Sequence, residues 1–222
     1  MHNIDKKNLK KFLLEQNKDI KILDVGCGIG ENIELIESWG YKNIYGTDIA
    51  PLMIEECKLK NLNAVLDKEL TENNFDLILF SHVIEHIDYP NIVNFFEHYF
   101  SKIKKNGKII IITPCLYNGF YNDIDHIKPY YPNGLLNCFS EKKMSRSYHS
   151  KFNLQLIDIH FRKEIIAAFD IRSGYINTLS NKLIVKFRRV SLRLLNFILF
   201  GSLSKTTGYA AMFSVSYDRD EN

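Results

Sequence analysis

The chain has 222 residues, 45% of them hydrophobic and 25% charged, and a net charge of +3. That is an ordinary globular composition, enough for one large domain and too weakly basic to point to nucleic acid. Cys27, Cys57, Cys115 and Cys138 are widely spaced with no Cys-x-x-Cys pair, which speaks against a zinc ribbon or thioredoxin-type site and makes a reducing compartment the default.

The first residues are polar and charged, without the apolar centre of a secretory signal, and no uncharged apolar run reaches the length of a membrane span. A cytoplasmic location is the expectation. Residues 6–17 read as a short amphipathic helix with Leu9, Phe12 and Leu13 on one face. "IKILDV" reads as a strand buried on both sides. The helix after the glycines of "GCGIG" turns Ile33, Leu35, Ile36 and Trp39 inward and ends at Gly40. "NIYGTD" is a second strand, and Pro51 opens a helix to about Lys60. "NAVL" is a short third strand and "FDLILF" a fourth.

Asn91 to Ile103 follow as an amphipathic helix, Asn106-Gly107 as a turn and "KIIIIT" as a fifth strand. Strand and helix alternate and the strands are nearly continuously apolar, the pattern of a parallel, doubly wound α/β sheet. Residues 114–134, rich in Tyr, Phe and Pro, read as a long ordered loop of the kind that carries function. "NLQLIDIHF" and "YAAMFSVSY" are a sixth and a seventh strand.

The glycine-rich turn follows its strand with the spacing G-x-G-x-G at Gly26, Gly28 and Gly30. A dinucleotide fingerprint is G-x-G-x-x-G, and its third glycine falls here on Glu31, an acid that repels a pyrophosphate at a helix N-terminus. No G-K-[ST] follows, so a phosphate loop is excluded. "LDVGCGIG" together with "YGTDIA", "NNFDLILFSHVIEHI" and "KKNGKIIIITP" resembles the class I S-adenosylmethionine-dependent methyltransferases, in their small-molecule type with an H-V-x-E-H stretch, over roughly residues 20–160. The resemblance implies a Rossmann-like seven-stranded sheet with the last strand antiparallel, and S-adenosyl-L-methionine as cofactor.

It also implies a set of cofactor residues. Asp24 precedes the turn, the backbone around Gly26, Cys27 and Gly28 lies along the methionine part of the cofactor, and Gly30 belongs to the same cofactor-binding turn. Asp48, with Ile49 beside it, takes the ribose hydroxyls, as a carboxylate suits two donors. Asp67 resembles the acid that meets the adenine amino group, and Ser81 and His82 lie near the sulfonium.

"HVIEH" from His82 to His86 also matches an inverted zinc-protease signature, which needs a helix holding both histidines on one face and here follows a strand directly. Some relatives bind Mg²⁺ through E-x-x-E-H. Here His82 replaces the first acid, and no metal is the expectation, since Mg²⁺ prefers oxygen ligands. "NDIDHIKPYYP" supplies His126 as the candidate general base for a hydroxyl acceptor, with Asp123 or Asp125 to orient it.

A single domain over 1–222 is expected, with a basic amphipathic helical insertion at about 178–204. In it Lys182, Lys186, Arg189 and Arg193 make one stripe, and Leu183, Phe187, Val190, Leu194 and Phe197 a neighbouring apolar one. Residues 182–200 fit a lid or core helix, a dimer face, or a peripheral membrane contact; RNA is a weaker fit because stacking aromatics do not alternate with the charges. The expected acceptor is a hydroxyl of a small molecule or of a sugar in a surface-glycan or lipid-linked pathway. RNA or protein methylation and a catalytically silent binding protein are the alternatives. DNA is not an expected partner, and the oligomeric state stays open.

Overall fold

The computed structural model describes residues 2–139, 150–165, 190–191, 194–199 and 204–217. Helix α1 (Asn3–Leu14) leads to strand β1 (Ile22–Val25), helix α2 (Glu31–Ser38), strand β2 (Ile44–Asp48), helix α3 (Pro51–Leu59) and strand β3 (Ala64–Leu66). Strand β4 (Phe75–Ser81), helix α4 (Asn91–Phe100), strand β5 (Ile103–Pro114), helix α5 (Pro132–Cys138) and the long strands β6 (Phe152–Ile165) and β7 (Ser204–Tyr217) follow among the described residues. One seven-stranded sheet has the order β3-β2-β1-β4-β5-β7-β6. The pairs among β1 to β5 are parallel, whereas β7 runs antiparallel to both β5 and β6. The expected α/β sheet with its last strand reversed is therefore the fold.

Alternate residues of the central strands feed two cores, one on each face. Along β4, Leu77 and Leu79 join Leu9, Phe12 and Leu13 of α1 and Ile33 and Ile36 of α2. Ile78 and Phe80 point the other way, to Phe96 and Phe100 of α4 and Leu135 of α5. This period of two, with apolar residues on both faces, explains the unbroken hydrophobic runs of the sequence. The second face is strongly aromatic: the Phe80 ring lies 5.4 Å from Phe96 and 5.6 Å from Tyr99, both edge-on, and Phe139 meets Phe96 at 5.6 Å and Phe100 at 5.3 Å.

Several boundaries differ from the sequence reading. Helix α1 starts at Asn3 and ends at Leu14, not at 6 and 17. In α2 only Ile33 and Ile36 are buried; Leu35 and Trp39 are half-covered, and Gly40 follows at φ +91°. Helix α4 stops at Phe100, and Ile103 opens β5 instead. Asn106-Gly107 lies within β5, where the pairing with β4 jumps from Phe75↔Ile103 to Leu77↔Lys108, so the chain bulges outward there. Helix α5, led by Pro132, ends the stretch read as a loop.

Most of the expected insertion at 178–204 lies outside the described residues, including Lys182, Leu183, Lys186, Phe187, Arg189 and Arg193. Among those described, residues 190–191 and 194–198 are helical, and Val190, Leu194, Leu195, Phe197 and Ile198 are exposed, Phe197 at 81%. No helix among the described residues is long and apolar enough to cross a membrane.

Because Phe96 is fully buried and touches four other aromatic rings, Phe96→Ala is expected to lower the unfolding free energy by about 3–5 kcal/mol. Urea denaturation checks this; a loss under about 1 kcal/mol would mean that the aromatic face repacks.

Candidate active site

The strand order reverses direction between β1 and β4, so the loops after these two strands diverge and leave a crevice at their carboxyl ends. The glycine turn borders it. The N–H groups of Gly26 and Cys27 both donate to Thr47 O, at 2.8 and 3.0 Å, and that of Gly28 donates to Asp48 Oδ2 at 3.0 Å. Asp48 Oδ1 accepts from Ala50 N at 2.9 Å. Gly26 has φ +67°, and a Cβ there would come within 2.5 Å of the Val83 side chain, so the turn can approach the β4 loop only as glycine. Gly30, at φ +85°, is the residue from which α2 starts.

A cavity of about 590 Å³ opens over this turn. Gly26, Asp48, Ile49, Asp67 and His82 line it, as do Thr47, Val83, His86, Phe95 and Tyr99. Of the residues expected from sequence to bind the cofactor, Asp24, Cys27, Gly28, Gly30 and Ser81 do not line this cavity. Asp24 is fully buried with Oδ1 accepting from Asn32 Nδ2 at 3.3 Å, and its Oδ2 has no hydrogen-bond partner among the described residues. Burial, only partly offset by the Asn32 bond, pushes its carboxyl up to about 7. Cys27 is buried beside Gly46, and burial raises its thiol far above the ordinary range, which makes it inert. Asp67 opens a single helical turn after β3 and accepts a hydrogen bond from the Tyr99 hydroxyl.

A second recess, about 450 Å³, is lined by His2, His82, His86, Asp123 and His126. His82 and His86 line both cavities and so form the wall between them. His126 Nδ1–H donates to Phe120 O at 2.6 Å, and His86 Nδ1–H to Asp125 O at 3.0 Å. A carbonyl only accepts, so each ring carries a proton on Nδ1, and neither Nε2 has a hydrogen-bond partner among the described residues. The carboxylates expected to orient His126 do not do so. Asp123 Oδ2 stands 3.7 Å from Nε2, and Asp125 contributes its main chain to His86 instead.

The loop that carries His126 is held down: Glu85 O accepts from Ile127 N and Lys128 N at 2.8 and 3.2 Å, and the Tyr130 hydroxyl donates to Ile87 O at 2.7 Å. Sequence reading missed Phe95 and Tyr99 as site residues, because both hide in the helical apolar repeat of "NFFEHYF", where they look like core.

Glu85, His86 and His126 have potential ligand atoms within 4.8 Å of one another. As an Mg²⁺ site the set fits poorly. Both Glu85 oxygens already accept hydrogen bonds, from His82 Nδ1 at 3.2 Å and from Thr113 Oγ1 at 2.9 Å, and two of the three groups offer nitrogen. Residues 84–86 form one short turn, so the "HVIEH" stretch does not hold both histidines on a helix face.

The fold is also that of proteins of known class. Over 95% of this chain and 93% of the other, the fold matches the crystal structure of an S-adenosylmethionine-dependent methyltransferase from Archaeoglobus fulgidus with a TM-score of 0.60 and 26% identity. The chain is 34% identical over 108 residues to an uncharacterised protein of Methanocaldococcus jannaschii, covering 47% of this chain and 44% of that one. It is 29% identical over 117 residues to the phosphoethanolamine N-methyltransferase of Plasmodium falciparum, covering 48% and 44%. The chain thus spans about half the length of the curated relatives it matches. The unpartnered Asp24 oxygen and the glycine-only approach at Gly26 fit S-adenosyl-L-methionine, a cofactor with cationic groups and no phosphates. With the model of a methyltransferase domain family matching residues 3–159, the chain belongs to that family, in its class I S-adenosylmethionine-dependent type.

Proposed function

We propose that the chain transfers the methyl group of S-adenosyl-L-methionine to a hydroxyl of a small molecule or of a sugar in a surface-glycan or lipid-linked pathway. One observation carries this reading: the cofactor cavity and the histidine-lined recess share the His82–His86 wall, and the recess holds an imidazole with a bare Nε2 at His126. The cofactor supplies an electrophilic methyl carbon on a good leaving group, so alignment and removal of the acceptor's proton fall to the protein. Gly26, Asp48, Ile49 and Asp67 would line the cofactor, with Asp24 close behind to balance its positive charge. His126 takes the acceptor's proton on Nε2 while Phe120 O holds the ring. An amine acceptor is the second reading, favoured by the Plasmodium relative. Transfer of labelled methyl groups to paired hydroxyl and amine acceptors, with His126→Ala as control, separates them: the hydroxyl reading requires a large loss at His126, whereas an amine that reacts unprotonated does not.

Asp48 both faces the cavity and ties down the glycine turn. Asp48→Ala is expected to weaken S-adenosylmethionine binding by roughly 2–4 kcal/mol in calorimetry. Binding of NAD in place of S-adenosylmethionine would remove the whole reading.

Since Glu85 is already engaged, turnover is expected to survive EDTA. Loss of activity with EDTA and its return with Mg²⁺ or Mn²⁺ would make Glu85, His86 and His126 ligands instead.

The exposed apolar residues Val190, Leu194, Phe197 and Ile198 support a peripheral membrane contact through 182–200, aided by the basic stripe of that segment. Each basic residue near an anionic surface contributes about 1 kcal/mol. The native protein is expected to float with anionic vesicles at low salt and not to do so when Lys182, Lys186, Arg189 and Arg193 are all changed to Glu; no flotation of the native protein would remove the membrane contact.

A further inference from the structure

His82 sits where an imidazole is not easily kept. It follows β4 directly, in the left-handed region at φ +57°, and its side chain is half-buried. Nδ1 lies 3.2 Å from Glu85 Oε1, and Nε2 lies 3.5 Å from Asp5 Oδ2, at ion-pair distance without hydrogen-bond alignment. Asp5, on the first turn of α1, is fully buried, and the Arg162 guanidinium of β6, 2% exposed, donates to the same Oδ2. Arg162 is itself fixed by Thr207 of β7, with Nε donating to Oγ1 at 3.1 Å and Nη2 to the carbonyl at 3.2 Å. Gly208 leaves room for the guanidinium, since a Cβ there would stand 2.6 Å from Nη2. Glu85 closes the far end by accepting from Thr113 of β5. A chain of polar contacts thus runs Thr207–Arg162–Asp5–His82–Glu85–Thr113, buried at every link but His82.

Asp5 and Arg162 line neither cavity, yet His82 lines both. We infer that Asp5 and Arg162 are positioning residues of the transfer site, clamping the His82 ring from outside as the wall between cofactor and acceptor. This rests on the reading of the two cavities given above. It makes α1 a working part of the site, because the helix brings Asp5 to His82 and places His2 on the rim of the acceptor recess. Two buried carboxylates and one guanidinium balance only with a second cation, and a buried charge without a partner is costly. Burial opposes the charge on His82, but contact with Asp5 and Glu85 outweighs it and moves the ring up to about 9. The raised value means that His82 stabilises the fold fully below its ordinary 6.5, and that this contribution is lost as the pH climbs through about 9.

The test is nitrogen-detected imidazole NMR of His82 in the full chain bound to S-adenosylhomocysteine, with calorimetry of that ligand alongside. The groups facing the ring are Asp5, Glu85 and, around the recess, His2, His86, Asp123 and His126. His82 is expected to stay charged to about pH 8. Asp5→Asn should lower its midpoint by about one unit or more and weaken S-adenosylhomocysteine about tenfold, with Asp5→Glu restoring both. Arg162→Met, which frees Asp5 for His82 alone, should move the midpoint upward, whereas a general loosening of the fold would move it downward in both variants. A neutral His82 at about pH 7 in the native chain overturns the clamp, and this measurement stands even if neither variant folds. An unchanged midpoint in folded Asp5→Asn, or an unchanged ligand affinity once the midpoint has moved, overturns it as well. No binding of S-adenosylhomocysteine by the native chain strikes the reading of the cavities instead; the titration then still tests the contact.

Discussion

The hydrogen bond from Gly28 N to Asp48 Oδ2 is the constraint from which the site follows. It joins the turn after β1 to the last residue of β2, and it exists because parallel neighbours bring their carboxyl ends to one edge. Both Asp48 oxygens hold main-chain N–H groups, so the carboxylate is fixed before any ligand arrives. Fixing it also fixes the path of the turn. Gly26 then passes so near Val83 that the loop after β4 is drawn against the same crevice. Binding would therefore order little that the fold has not already ordered, which is how a modest number of polar contacts can hold a flexible ligand.

The opposite wall is built by another logic. The loop after β5 carries exposed aliphatic side chains such as Ile124, yet its main chain is bonded to the β4 loop through Glu85 O and Ile87 O. His126 of this loop and His86 of the β4 loop each donate to a backbone carbonyl. A carbonyl fixes the tautomer and the orientation of each ring without adding a negative charge.

What could be read from the sequence was local in the chain. The buried strands, the glycine turn and Asp48 are each marked within a few neighbouring residues, and the reversed last strand entered with the family resemblance. What escaped depends on distant pairings. Asp5 and Arg162 stand 157 positions apart, and nothing around either one announces a partner. Tyr99 looks like one more apolar residue of α4 until Asp67 is found beneath its hydroxyl, 32 positions away. Helix α1 begins earlier than its apolar repeat suggests; its first turn carries the Asp5 that Arg162 and His82 hold, a tie no periodicity reveals. Short α5 was lost among prolines and aromatics that resemble a loop.

The two margins of the sheet meet a hazard common to open sheets, namely that unpaired edge strands recruit other chains. At one margin β3 has only three residues, too few to template a new strand. At the other, β6 runs for fourteen residues and, among the described residues, pairs with β7 alone. Its register slips between Leu156 and Asp158 and again between Arg162 and Lys163, and Asp158, Lys163 and Glu164 are spread along it. The irregular pairing and the charges spoil the flat, apolar ribbon that edge-to-edge stacking needs. Arg162 sits at the second of these slips, so the stretch that carries the guanidinium of the clamp is also the one that makes the margin a poor seed for aggregation.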